Sequence, residues 1–166
     1  MILCYNLQGE WKSPNTLWQE VPKMRKVILW LVIGVLPVFA LVQLVPYGRD
    51  HSNPAVVAEP QWDSPQTREL AARACFDCHS NETTWPWYSH VAPVSWLIQR
   101  DVDEGRNRLN FSEWNRPQRD AHDAGEVVSE GEMPPWFYLP LHASARLTPT
   151  EKQALVAGLQ KTLGSR

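Results

Sequence analysis

Residues 72–80 read ARACFDCHS, and the five in the middle, Cys75-Phe76-Asp77-Cys78-His79, decide how the rest of the chain is read. Two thiols three positions apart with a histidine directly after them form the pattern of a c-type haem attachment site. The two sulfurs can add to the two vinyl groups of one porphyrin, and the imidazole then lies under the iron as proximal ligand. Three other readings compete. A thioredoxin-like redox pair belongs to a βαβ pattern and needs no histidine; no such pattern surrounds these residues. A zinc site needs four ligands, usually from a second Cys/His cluster, and only Cys4 remains, beyond a long apolar run. A structural disulfide across two residues is the poorest of the three. Covalent attachment of one haem c is the expectation.

Working outward, the chain is sharply divided. Residues 27–45, VILWLVIGVLPVFALVQLV, contain no charge and one Gln. That is close to the roughly 20 residues a helix needs to cross a hydrocarbon core. Lys23, Arg25 and Lys26 precede the run, whereas Arg49 and Asp50 after it balance. The positive-inside rule therefore puts the N-terminus in the cytoplasm and the remainder outside. The run exceeds a typical signal-peptide apolar core and ends without an A-x-A-like site, so an uncleaved anchor over 24–46 is expected. Residues 1–23 lack periodicity and are read as a short cytoplasmic tail or, because Met24-Arg25-Lys26 looks like an ordinary beginning, as a mis-assigned start. After Pro46, Lys+Arg is 12 and Asp+Glu is 16, a net of −4. This mild acidity gives no basic patch for nucleic acid.

Residues 47–63, punctuated by Gly48, Pro54 and Pro60, read as a linker. The domain expected over 64–166 is helical, with no strand-like alternation. Ser64-Pro65 is an N-cap followed by proline at the first helical position, and Gln66–Ala74 runs straight into the thiol pair. A second helix is expected from Pro93 to about Arg108, with Val94, Leu97, Ile98 and Val102 facing inward. Leu109-Asn110-Phe111 reads as a turn, Ser112 or a residue near it as a cap for a short segment, and Pro117–Glu130 as a weaker helix stopped by Gly131. Thr148, Pro149 and Glu151 make a capping box for a last helix to about Leu163, whose apolar stripe is Leu155, Leu159 and Leu163.

Two further signals bear on the haem. Trp85, Trp87, Tyr88 and Trp96 fall within seventeen residues, and Trp85 and Trp87 are expected to wall the pocket, where flat rings bury much area and indole N–H groups can meet propionates. Arg106 or Arg108 could neutralise a propionate. Gly131-Glu132-Met133-Pro134-Pro135-Trp136 carries the only methionine after Met24. Thioether sulfur is a common sixth ligand, and two prolines with fixed φ stiffen the loop. Met133 is the expected distal ligand, with His142 and His90 as alternatives. His122, among acids, is expected to face solvent.

An N-terminal helix entering CxxCH, a methionine loop and a C-terminal amphipathic helix resemble a small class I cytochrome c. CFDCHSNETTWPWYS at 75–89, APVSWL at 92–97, EGRNRLNFSEW at 104–114 and GEMPPWFY at 131–138 resemble, more closely still, the bacterial membrane-anchored haem-binding domain family. The resemblance implies covalent haem c with Cys75, Cys78 and His79 in the attachment roles, and it stops short of a physiological task. The expectation is an all-α haem domain on a single-pass anchor in the bacterial inner membrane, facing the periplasm. It would pass single electrons to redox partner proteins and would not itself be an enzyme. A haem-based sensor is the alternative, and a peroxidase-like catalyst is a more distant one.

Overall fold

The computed structural model describes residues 14–164, and the chain divides after Val45 into two units. The first contains one long helix, α1 (Pro14–Val42). Within it Met24–Val42 is the one stretch among the described residues long and apolar enough to cross a membrane, a property that signal sequences share. The backbone of 14–23 thus belongs to α1, while the rest of the expected tail or alternative start lies outside the described residues.

The second unit is all helical: α2 (Pro65–Ala74), α3 (Phe76–His79), α4 (Val94–Arg108), α5 (Ala124–Glu130) and α6 (Pro149–Leu163), with short 3₁₀ turns at Trp87–His90 and Ala143–Ala145. Among the described residues there is no strand, only an isolated parallel bridge between Ala58 and Glu113. The caps form as their sequences require. Ser64 Oγ accepts from Thr67 N, and Pro65 opens α2. Thr148 and Glu151 complete a reciprocal capping box on α6. The core joins α2, α3, α5 and α6 through Leu70, Ala71, Phe76, Val128, Leu155 and Leu159. Burying leucines such as Leu155 and Leu159, each exposed by 1 % or less, stabilises the fold by about 1.5–3 kcal/mol apiece. Phe111 is almost wholly buried between Phe76 and the half-buried Trp62 and Trp114.

Three expectations change. The stretch 47–63, read as a linker, is stitched along the second unit. Val57 N and Ala58 N donate to Ser112 O, Trp114 N donates to Ala58 O, and Trp62 packs against the core. The helix expected over Pro117–Glu130 shrinks to α5. Its first half is held as turns because Arg119 N and Asp120 N both donate to Arg108 O, and the Gln118 amide bonds Asn110 N, Glu113 O and Arg116 O. These bonds compete with the helical ladder and win. On α4, Val94 and Leu97 are exposed while Ser95, Val102 and Gly105 are buried. The inward face is therefore built from small residues, and helices meeting on such a face can approach closely.

Glu151 ties this architecture to pH. Its carboxylate accepts from the Thr148 backbone N–H and pairs with Arg73 of α2 at 2.6 Å. The capping bond first, then Arg73, pulls its pKa from 4.5 down to about 2. Because the folded value is depressed, the stabilisation is full above pH 4.5 and is lost as pH falls toward 2. Glu151→Gln keeps a capping side chain without the charge. It should flatten the acid side of the Tm-versus-pH curve of the full chain between those values, leaving the part due to Glu59 and Glu113, whose pKa values are also lowered.

Candidate functional site

Cys75 sits at the junction of two helices. Its N–H still donates to Ala71 O, closing α2, and its own carbonyl accepts from Cys78 N at 3.2 Å and His79 N at 2.9 Å, opening α3. The thiols of Cys75 and Cys78 are unbridged. His79 follows, with Nδ1 3.1 Å from Gly105 O and 3.0 Å from Leu109 O. Both partners are carbonyls and can only accept, so Nδ1 carries the proton and the lone pair lies on Nε2. These two carbonyls come from the last turn of α4 and the residue that ends it. They reach the imidazole because α4 crosses against the thiol pair at Gly105, where any Cβ would collide with the carbonyl of Cys78.

A buried polar network fixes the same crossing from the other side. Phe111 N donates to His79 O at 2.8 Å. Asn81 N donates to Ser112 Oγ, Asn110 Nδ2 to Asn81 Oδ1, and Ser112 N to Asn110 Oδ1, all at 2.9 Å. Ser112 therefore holds Asn81, and it does not cap a helix. Arg106 donates to Ser80 O, Thr83 Oγ1, Asn53 Oδ1 and Ser52 O. Its guanidinium is occupied in joining three segments, and Arg108 pairs loosely with Asp120 at 3.5 Å.

The loop that carries Met133 starts from Gly131, whose φ of +84° ends α5 in the left-handed conformation that glycine tolerates best. Glu132 N and Met133 N both donate to Val127 O, so the loop is rooted on α5. Farther along, Tyr138 Oη donates to Asp77 Oδ2 at 2.5 Å, within the CxxCH segment itself. The Tyr138 ring stacks on His142, centroids 3.7 Å apart and 8° between planes. His142 has both nitrogens engaged, Nδ1 with Tyr138 O and Nε2 with Tyr88 Oη. His90 is exposed and packs edge-on to His51. Trp85 stacks on His51 and donates to Asn53 Oδ1 at 3.3 Å. Trp87 is 79 % exposed, as open as Trp136 at 81 %. His122 is open to solvent beside Asp123, as expected.

A family model described as a haem-binding domain matches residues 37–161. The chain belongs to this haem-binding domain family. No match was found among curated proteins or among solved structures.

The residues present fit a haem. Although Cys75, Cys78 and His79 each keep some solvent-facing surface, loss of hydration dominates their ionisation. Burial first, then the neighbouring Cys78, pushes the Cys75 thiol up to about 12. Burial, then Asp101 and Asp77, does the same to Cys78. Burial lowers the His79 pKa against the pull of the two carbonyls, so the imidazole is neutral and offers a lone pair. Neutral thiols are the opposite of the low-pKa thiolate of a redox pair. No cluster of three or more His, Cys, Asp or Glu able to hold a bare metal ion occurs among the described residues. Meanwhile Met133, Trp136, Phe137 and Leu141 of the one loop are left exposed, as is Trp87. Uncovered apolar side chains in such number mark a binding surface.

What sequence reasoning missed is the support around the motif: the carbonyls of Gly105 and Leu109, the Asn81–Asn110–Ser112 network, and the Tyr138–Asp77 contact. Gly105 offers the cleanest test. An exposed helical Gly→Ala change ordinarily stabilises by up to about 1 kcal/mol. Gly105→Ala should instead destabilise by roughly 1–3 kcal/mol, because α4 must retreat from Cys78 and take the His79 acceptors with it. Urea unfolding of the full chain reads the sign directly.

Proposed function

We propose that the chain is a membrane-anchored c-type cytochrome that transfers single electrons. In this reading Met24–Val42 is the anchor, in the bacterial inner membrane. The basic residues before it leave the helical unit on the periplasmic side, where covalent haem attachment takes place. Each thiol would be joined to one vinyl group of the haem through a new carbon–sulfur bond, with the thiol hydrogen passing to the other vinyl carbon, so that no oxidant would be needed. Cys75 and Cys78 would hold the haem, His79 Nε2 would be the proximal ligand, and Met133 Sδ the distal one.

The observation that carries the reading is the orientation of His79. A ligating histidine commonly donates its other ring N–H to a carbonyl or carboxylate, which fixes the tautomer and the ring. Here two backbone carbonyls hold Nδ1 directly after an unbridged thiol pair. Met133 is preferred over His142 because both nitrogens of His142 are already engaged. When bound, haem supplies the Fe(III)/Fe(II) couple, and axial ligation by histidine and methionine raises its potential. The protein's part is to keep both ligands in place through the change of charge. A net of −4 after Pro46 favours a basic redox partner. In this reading the chain is a carrier of electrons.

Replacing Cys75 and Cys78 together by Ala should make haem fully extractable with acid–acetone, whereas the unaltered chain retains it; retention by the variant would overturn covalent attachment. Met133→Ala should abolish the weak long-wavelength charge-transfer band of thioether-ligated ferric haem, lower the potential, and admit CO to the reduced form. Ready CO binding by the unaltered chain, with no such band, would favour a small-ligand sensor instead.

A further inference from the structure

We propose that Tyr138 and Asp77 are positioning residues, a clasp that holds the methionine loop against the haem-attachment segment and so sets how firmly Met133 is presented. The inference rests on Met133 being the distal ligand. The loop is rooted at one end by Glu132 N and Met133 N on Val127 O. At the other end its contact with the CxxCH segment is the bond from Tyr138 Oη to Asp77 Oδ2. Between root and clasp lie Pro134 and Pro135, so there is little slack. Tyr138 lies five positions after Met133, a span of at most about 18 Å.

Both partners of the clasp are themselves held. Asp77 Oδ1 accepts from Thr84 N at 2.9 Å, which aims Oδ2. Tyr138 is stacked on His142, and His142 is fixed by Tyr88 Oη. Trp136, Phe137 and Leu141 of the loop are exposed and Pro134, Pro135 and Leu139 only half-buried, so no fully buried apolar side chain of the loop stands in for the bond. Asp77 lies between the two cysteines, and the clasp therefore ties the segment of the proximal ligand to the loop of the distal one.

The test uses the haem-loaded full chain in detergent and free imidazole as the competing ligand. Imidazole binds only when Met133 leaves the iron, so its apparent affinity reports the fraction of open loop. A hydrogen bond to a charged group accounts for a change on the order of 10- to 100-fold in such an equilibrium. Tyr138→Phe and Asp77→Ala should each tighten apparent imidazole binding by that factor. The double variant should add little to either one, because both remove the same bond. Asp77→Asn should stay within about threefold of the parent, since its amide can donate to Tyr138 Oη.

Unchanged imidazole binding in Tyr138→Phe, or additive effects in the double variant, would defeat the clasp. Hydrogen exchange covers variants that are merely unstable. Faster exchange confined to residues 136–142 supports the clasp, and uniform acceleration that includes α2 and α6 overturns it. Met133→Ala separates the two levels. If it leaves imidazole binding unchanged, the ligand assignment itself fails, whereas a large effect of Met133→Ala with none from Tyr138→Phe sinks only the clasp.

Discussion

The bond pair from His79 Nδ1 to the carbonyls of Gly105 and Leu109 is the contact on which the arrangement of the second unit depends. It exists because one residue of α4 has no side chain, which lets a helix backbone lie against the backbone of the thiol pair. The energetic logic is conditional. Each hydrogen bond contributes only about 0.5–1.5 kcal/mol net, but half-buried acceptors at the end of a helix would be costly left alone. The imidazole satisfies the Leu109 carbonyl beyond the helical ladder and adds a second donor to Gly105 O, which already accepts from Leu109 N, and the helix in turn fixes the ring. Neither element is well placed without the other.

Around that contact the protein builds with polar side chains where apolar packing is thin. Leu155, Leu159 and Phe111 form a dry core behind the thiols. On the other side of α3 the chain relies on Asn81, Asn110, Ser112 and Arg106, and apart from the local bond of Ser112 N to Asn110 Oδ1 their bonds join segments distant in sequence. Fully satisfied polar networks of this kind rigidify and specify a single arrangement. The segment 51–58 is drawn into the domain the same way, by Asn53, Ala55 and Ala58, and Trp62 beyond it packs against the core.

Much of this was legible in the sequence, and the boundary has physical causes. Caps such as Ser64-Pro65 and Thr148-Pro149-Glu151 act within one turn, so their residues suffice to predict them. The helix into the thiol pair, the all-helical class and the apolar span follow from local periodicity too. The inward face of α4 was misread because hydrophobic counting rewards Val94 and Leu97 and ignores Ser95 and Gly105, whose value is that they are small. The helix expected from Pro117 failed through side-chain competition from Gln118, which bonds backbone groups two to eight residues before it, an effect that hydrophobic periodicity does not register. Asp77 stands at a variable position of the motif, and Tyr138 lies sixty-one residues downstream. Nothing in the sequence pairs them. Of the two tryptophans expected to wall the pocket, Trp85 stacks on His51 and Trp87 is open to solvent.

The close approach of α4 to the thiol segment also governs where the domain tolerates change. A Cβ at Gly105 would meet the carbonyl of Cys78, while the carbonyls of Gly105 and Leu109 meet the ring of His79. Sliding α4 along the segment would break the second contact, and lifting it away would break both. One position without a side chain thus sets the register of two segments, and a substitution there is felt at Cys78 and His79 together, whereas the exposed positions of α4 can vary one at a time.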